Sequence, residues 1–251
     1  MPQFIQIITP VECVCDAQTK EQIKYCLGYT KVYYQQGKYN KIRKEYTAYP
    51  IRKGKDNLWY FYTGFFPRVK QFIEEKKLPV AISGGIPRIK CSSPNLPGIS
   101  IRPEQLELIH SALKRQRGII QAPTGSGKTI LGIAICSAFE NTKVLWLCHT
   151  KDLMYQTENE FKRFGFETGI VGDSQSDTTK RITIATRQSF SKIVEYLTDH
   201  YDIVIVDEAH HLTEFNGMYA SILSQLAAPI RIGLTAPPKT SEEATLVSEG
   251  L

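Results

Sequence analysis

From residue 117 onward, short apolar runs alternate with segments of helical period. "RGIIQAP" (117–123), "KVLWLCHT" (143–150), "RITIATRQSF" (181–190), "YDIVIVDEAHH" (201–211) and "IRIGLTAPP" (230–238) each hold a run of strand length, rich in Ile, Val and Leu. "TGSGKTILGIAICSAF" (124–139) and "KDLMYQTENEFKRF" (151–164) carry apolar residues at helical spacing. Continuous apolar strands separated by helices predict an α/β fold, a parallel sheet with helices on both faces. In such sheets ligands bind at the carboxyl ends of the strands, where the charged and glycine-rich residues fall here.

The front of the chain has a different rhythm. "EYTAYPIRKG" and "NLWYFYTG" alternate, and "KGKDN" between them is a hairpin turn signal. "FPRVKQFIEEKKL" then reads as a short helix with Val69, Phe72 and Ile73 on one side. This predicts a small α+β domain. "CSSPNLPGIS" (91–100), with its prolines, glycine and serines, reads as an irregular linker. The expected domains are 1–95 and 96–251.

Composition adds little until it is divided. Apolar content of 42% and charged content of 22% are ordinary for a globular protein. No apolar run approaches the roughly 18–20 residues of a membrane span, so neither membrane nor lipid is an expected partner. The N-terminus has no basic segment of the signal-peptide kind. None of the six cysteines forms a CxxC pair, which fits reduced thiols and an intracellular, cytoplasmic protein. Zinc at Cys13 and Cys15 lacks a second ligand pair. Charge, by contrast, is skewed: residues 1–100 carry 16 Lys and Arg against 7 Asp and Glu, and residues 101–251 carry 15 against 18. Nine of the 13 tyrosines also precede residue 101. A basic, tyrosine-rich front and a mildly acidic back suggest different partners.

The most specific stretch is "QAPTGSGKT" (121–129), between a strand and a helix, as a phosphate loop requires. Ala122 stands at the first glycine position, and Pro123, Thr124 and Ser126 fill out the loop. Gly125 and Gly127 let backbone N–H groups turn inward around a phosphate. Lys128 would reach the β- and γ-phosphates of ATP, and the Thr129 hydroxyl would ligate Mg2+. Asp207, where the fourth apolar run ends, is then the expected second Mg2+ contact, and Glu208 the base that orients and deprotonates the attacking water. Zinc at Asp207, His210 and His211 would leave out the His-Glu-x-x-His spacing of a helix. His211 reads as a structural neighbour.

"APTGSGKT", "DEAH" and "GLTAPP", in that order, resemble motifs I, II and III of superfamily 2 helicases of the DEAH-box type. The resemblance covers residues 101–251. It implies a RecA-like motor domain whose His210 and Thr235 couple nucleotide state to movement. "IRPEQLELIHSAL" (101–113) resembles the segment ahead of the phosphate loop, which implies that Gln105 reads adenine and Arg102 lies nearby. "LCHTKDLMYQ" (147–156) and "IATRQSF" (184–190) resemble motifs Ia and Ib, implying nucleic-acid contacts by Thr150, Lys151, Thr186 and Gln188. The "RPEQ" entry and "GLTA" are most similar to the XPB, RecG and UvsW group, which handles double-stranded DNA. The small basic domain in front resembles the phage branch-migration type. Pro237 departs from the usual Ser or Thr, leaving the coupling role to Thr235. The family's second motor domain, with its arginine finger, is expected to be absent from these 251 residues, so the chain is expected to be an N-terminal fragment of weak activity.

In the front half, Lys38, Lys41, Arg43, Lys44, Arg52, Lys53 and Lys55 lie among tyrosines, a mixture that suits phosphate contact plus stacking. The alternative is a solvated face over core tyrosines. The expected activity is an ATP-dependent DNA helicase or translocase, driven by Mg2+-ATP on double-stranded or branched DNA. A non-unwinding translocase of the restriction or remodelling type, an RNA helicase and an ATP-gated clamp are the alternatives.

Overall fold

The structure is a computed structural model that describes residues 3–36, 40–123, 125–236 and 242–250, without the side chains of Tyr34, Glu242, Glu243 and Leu246. The chain forms two compact units. One takes Met1–Ile86, Thr213–Phe215 and Thr240–Leu251, the other Pro87–Leu212 and Asn216–Lys239. The division therefore differs from a single cut at residue 95. Residues 87–95 go with the second unit, and two later segments return to the first.

The first unit opens with β1 (Phe4–Ile7), β2 (Glu12–Cys15) and α1 (Ala17–Leu27). β3 (Tyr29–Gln36), β4 (Lys41–Ala48), β5 (Ile51–Lys53) and β6 (Trp59–Tyr62) follow, then α2 (Phe66–Lys76) and β7 (Ala81–Gly84). Asp16 starts α1 by accepting from the N–H groups of Gln18 and Thr19, two donors the first turn cannot satisfy itself. The sheet runs β5-β6-β2-β1-β7, with β1 and β7 parallel and the other neighbours antiparallel. β5 and β6 are the hairpin expected around "KGKDN", closed by Gly54 N–H donating to the Leu58 carbonyl at 2.8 Å. Of the expected helix face, Val69 and Ile73 are buried and Phe72 is half-buried. Val69 and Ile73 pack with Ile5, Cys13, Ile23, Leu27, Phe61 and Phe65 in one core. Phe215 lies against the same core, stacked on Tyr62 with ring centres 5.9 Å apart. The helix Glu242–Gly250 buries Val247 and runs so close to Gly64 that a Cβ there would sit 2.0 Å from the Glu249 carbonyl oxygen. Among the described residues β3 and β4 pair only with each other, as a two-stranded ribbon whose Tyr29 and Ala48 end packs against the same core.

The second unit holds α3 (Pro103–Arg115), β8 (Arg117–Gln121), α4 (Lys128–Ser137), β9 (Val144–Cys148) and α5 (Lys151–Arg163). Next come β10 (Thr168–Gly172), β11 (Gln175–Ser176), β12 (Ile182–Thr186), α6 (Arg187–Phe190), β13 (Ile203–Asp207), α7 (Met218–Leu223) and β14 (Ile230–Thr235). The sheet order is β11-β10-β12-β9-β13-β14-β8, parallel throughout except where β11 folds back on β10. The five expected strands are present, and β10 and β11 add to them. "TGIVG" breaks its apolar run with two glycines, which is why its pattern is faint. The core centres on Trp146, fully buried on β9 against the edge of Phe161. Gly132 on α4 is required there, because a Cβ would come within 2.5 Å of the Trp146 ring.

The stretch expected as a linker is fastened instead. Leu96 is buried, the Ser92 N–H donates to the Ala138 carbonyl at 2.8 Å, and the Gln116 amide bridges to the backbone of Ile89. No helix among the described residues is long and apolar enough to cross a membrane.

Candidate functional site

At the carboxyl edge of the second sheet, β8 leads into the glycine-rich loop and α4 leaves it. Gly125 and Gly127 both adopt the left-handed backbone, at φ of 79° and 83°, where a Cβ would be strained. Gly127 caps α4, whose first residue is Lys128. The first-turn N–H groups of α4 thus open toward the loop, as an anion site needs. Thr124 lies outside the described residues. Ala122 is buried, and its N–H donates to the Thr235 carbonyl at 2.9 Å, tying the start of the loop to the end of β14. Pro123 is exposed and Thr129 half-buried.

The loop has a second anchor. The Ser126 carbonyl accepts from the Gln105 amide and from the Arg102 guanidinium, each at 2.9 Å. The other end of the Gln105 amide accepts from the Arg102 N–H at 3.1 Å, at the start of α3. In this structure both polar ends of Gln105 are therefore spent on holding the loop and the helix entry, a structural task the motif did not foretell.

Asp207 ends β13, two strands from β8, and is only 5% exposed. Burial pushes its carboxyl above the usual carboxylate range, while the Glu208 N–H and the Lys128 ammonium act against that rise. A desolvated carboxylate beside the loop is a site that a divalent cation would relieve, so Asp207 and Thr129 fit the Mg2+ of a nucleotide. Glu208 sits in the left-handed region at φ 51°, which turns its side chain away from the strand line. Its Oε2 lies 3.2 Å from His210 Nδ1, and the same nitrogen is 3.2 Å from Thr235 Oγ1. The two acids, His210 and Thr235 form one polar group across β13 and β14. Pro237 lies outside the described residues.

Thr186 ends β12, and Thr150 follows the end of the neighbouring β9 by two residues. Each caps the helix that follows, accepting from Leu153 N–H and Ser189 N–H at 3.3 Å. Lys151 pairs with Asp173 at 2.5 Å, and Gln188 is exposed. Between these positions and the acids lies a ring stack that escaped the sequence reading. His149 and His211 stack with centres 3.7 Å apart, Tyr219 lies parallel beyond His149 at 6.5 Å, and Arg187 covers Tyr219. A single His at a strand end gives no periodic signal that would reveal it.

The front-half cations are dispersed. Lys41, Arg43 and Lys44 lie on β4 of the ribbon, and Arg52 and Lys53 on β5 of the sheet. Arg52 pairs with Glu12 and covers the Tyr60 ring. Lys38 lies outside the described residues.

The glycine-rich loop, the acids and the closing strand all fall in a segment with known relatives. A family model described as "Type III restriction enzyme, res subunit" matches residues 98–240. The chain belongs to that family. Among curated relatives, the DNA 3'-5' translocase XPB2 of Sulfurisphaera tokodaii is 36% identical over 146 residues, which are 57% of this chain and 32% of the relative. The probable helicase D10 of Escherichia phage T5 is 30% identical over 125 residues, 49% of this chain and 27% of the relative. The matched region thus spans about a third or less of these relatives. The crystal structure of the UvsW helicase from bacteriophage T4 has the same fold across both units. It covers 100% of this chain and 98% of its own at a TM-score of 0.72, with 16% identity.

Proposed function

We propose that the chain is the ATP-binding part of a motor that moves along, or opens, double-stranded or branched DNA. The observation that carries this reading is the meeting of the phosphate loop with Asp207, Glu208, His210 and Thr235 at the carboxyl edge of one parallel sheet. The loop amides around Gly125 and Gly127, with Lys128, would hold the phosphates. Thr129 and Asp207 would hold Mg2+, which neutralises phosphate charge when bound. Glu208 would orient the attacking water and take its proton. Arg102 and Gln105 set the loop's shape, and Gln105 reaches adenine only by exchanging one of its present partners. His210 links the base to Thr235 on the next strand, so both sense a change at the γ-phosphate. Thr150, Lys151, Thr186 and Gln188 would meet the DNA backbone.

Two substitutions separate binding from chemistry. Lys128→Ala is expected to abolish Mg2+-ATP binding by residues 1–251 with the fold intact. Glu208→Gln in the whole protein is expected to keep ATP affinity and lose about 10²–10⁴ in turnover, because the amide keeps the shape and takes no proton. Tight nucleotide binding by the first variant, or undiminished turnover by the second, would remove the site from this role. The name of the translocase relative favours a second reading, transport along duplex without strand separation. Displacement of a third strand from a triplex, with no unwinding of a plain duplex, would decide for it.

A further inference from the structure

β12, β9, β13 and β14 are neighbours in that order, so their carboxyl ends stand in a row. The first three ends each bring a side chain to one column. Arg187 follows β12, His149 follows β9, and His210 and His211 follow β13. Tyr219 of α7 joins the first two. The Arg187 guanidinium carbon is 5.4 Å from the Tyr219 ring centre, Tyr219 lies 6.5 Å from His149, and His149 lies 3.7 Å from His211. His211 is then 4.3 Å from His210, whose Nδ1 stands 3.2 Å from Glu208 Oε2. Rings at such separations interact face to face or edge to face.

Two further features give the column a task beyond filling space. Its outer members adjoin the expected DNA contacts: His149 directly precedes Thr150, and Arg187 sits between Thr186 and Gln188. It is also more polar than packing requires. Tyr219 is 2% exposed, yet its hydroxyl finds no hydrogen-bond partner among the described residues, and the same holds for the buried His149 Nδ1 and Arg187 Nε. Apolar side chains would fill the same space without that cost.

We propose that the column carries the binding of DNA to the catalytic base: Arg187 and His211 are positioning residues for Glu208, acting through Tyr219, His149 and His210. A phosphate backbone seated on Thr186 and Gln188 moves the start of α6, and Arg187 with it. Closely packed groups leave no slack to absorb the shift, so it reaches the turn that aims Glu208. The inference rests on the reading of the chain as a DNA motor and deepens it, by assigning the coupling of DNA to ATP hydrolysis to named side chains.

The test is steady-state ATP turnover by the whole protein, without DNA and at saturating duplex. Arg187→Gln and His211→Ala are each expected to keep the DNA-free turnover and the KM for ATP, and to lose at least about fivefold of the stimulation by DNA. His211→Phe keeps a ring in the column and is expected to restore the stimulation. The two losses are expected not to add: the double variant should fall no further than the weaker single one, as members of one line do. Circular dichroism at wild-type level marks the variants as folded. Equal loss of DNA-free and stimulated turnover would reduce the column to a support of the fold and overturn the proposal. So would additive losses, or an Arg187→Gln variant that binds duplex more weakly yet is fully stimulated once saturated. A wild type whose turnover ignores DNA would sink the motor reading and this inference together. A stimulated wild type with equally stimulated variants would sink the inference alone.

Discussion

His149 and His211 press their rings together at 3.7 Å with 14° between the planes. The pair links the end of β9 to the turn that carries the two acids. Burial, then the neighbouring rings and Arg187, pushes His211 down to about 4. His149 is lowered as well, by burial first and then by Arg187. The unfolded chain binds protons at these residues near 6.5, whereas the folded one resists them, so the unfolded state gains protons first as pH falls. The second unit is therefore expected to lose stability as pH drops from about 6.5 toward 4. His211→Phe keeps a ring in the stack and removes one proton site. Urea midpoints at neutral and mildly acid pH should differ less in that variant than in the wild type. An equal acid shift in both would place the pH dependence elsewhere.

Elements divide into those that announced themselves and those that did not. β9, β12, β13 and β14 were legible because each is an apolar run buried on both faces and ended by a chemical signal, and β8, a largely exposed edge strand, because the glycine-rich loop follows it. The strand-end positions of the glycine-rich loop and of the Asp207–Glu208 pair were legible for the same reason: sharp residue requirements at a strand end. The anchoring of Ser126 by Gln105 and Arg102 was not, because a hydrogen bond between residues 21 apart leaves no periodic mark. The helix Glu242–Gly250 gave no hint of its place either. It packs in the first unit through Val247 and Gly250, and Arg68 reaches Glu249 at 2.6 Å. Gly64 makes that approach possible. Gly64→Ala is expected to push the helix off, at a cost of about 1–3 kcal/mol. Amide exchange is the direct measure: residues 244–250 should exchange faster while α2 and the sheet stay protected. Unaltered protection of that helix would show that it tolerates the methyl.

Taken whole, the chain leaves its first unit at residue 86 and returns twice, at Thr213–Phe215 and from Thr240. Phe215 fills the space among Tyr29, Tyr62 and Phe65, with ring centres within 5.6–6.1 Å. Residues 1–90 alone thus hold the seven strands found among the described residues of this unit but lack part of its filling. That piece is expected to unfold at lower urea than the same sheet in residues 1–251, and Phe215→Ala in the full chain should reproduce part of the difference. Identical midpoints would make the returning segments ornamental. The same route has a consequence in time. A ribosome delivers the sheet of the first unit early, yet Phe215 emerges only after most of the second unit, and the helix Glu242–Gly250 after all of it, some 150 residues later, or about 8–30 s at the usual pace of synthesis. The unit begun first thus receives the last of its described residues after the second unit's chain has been made.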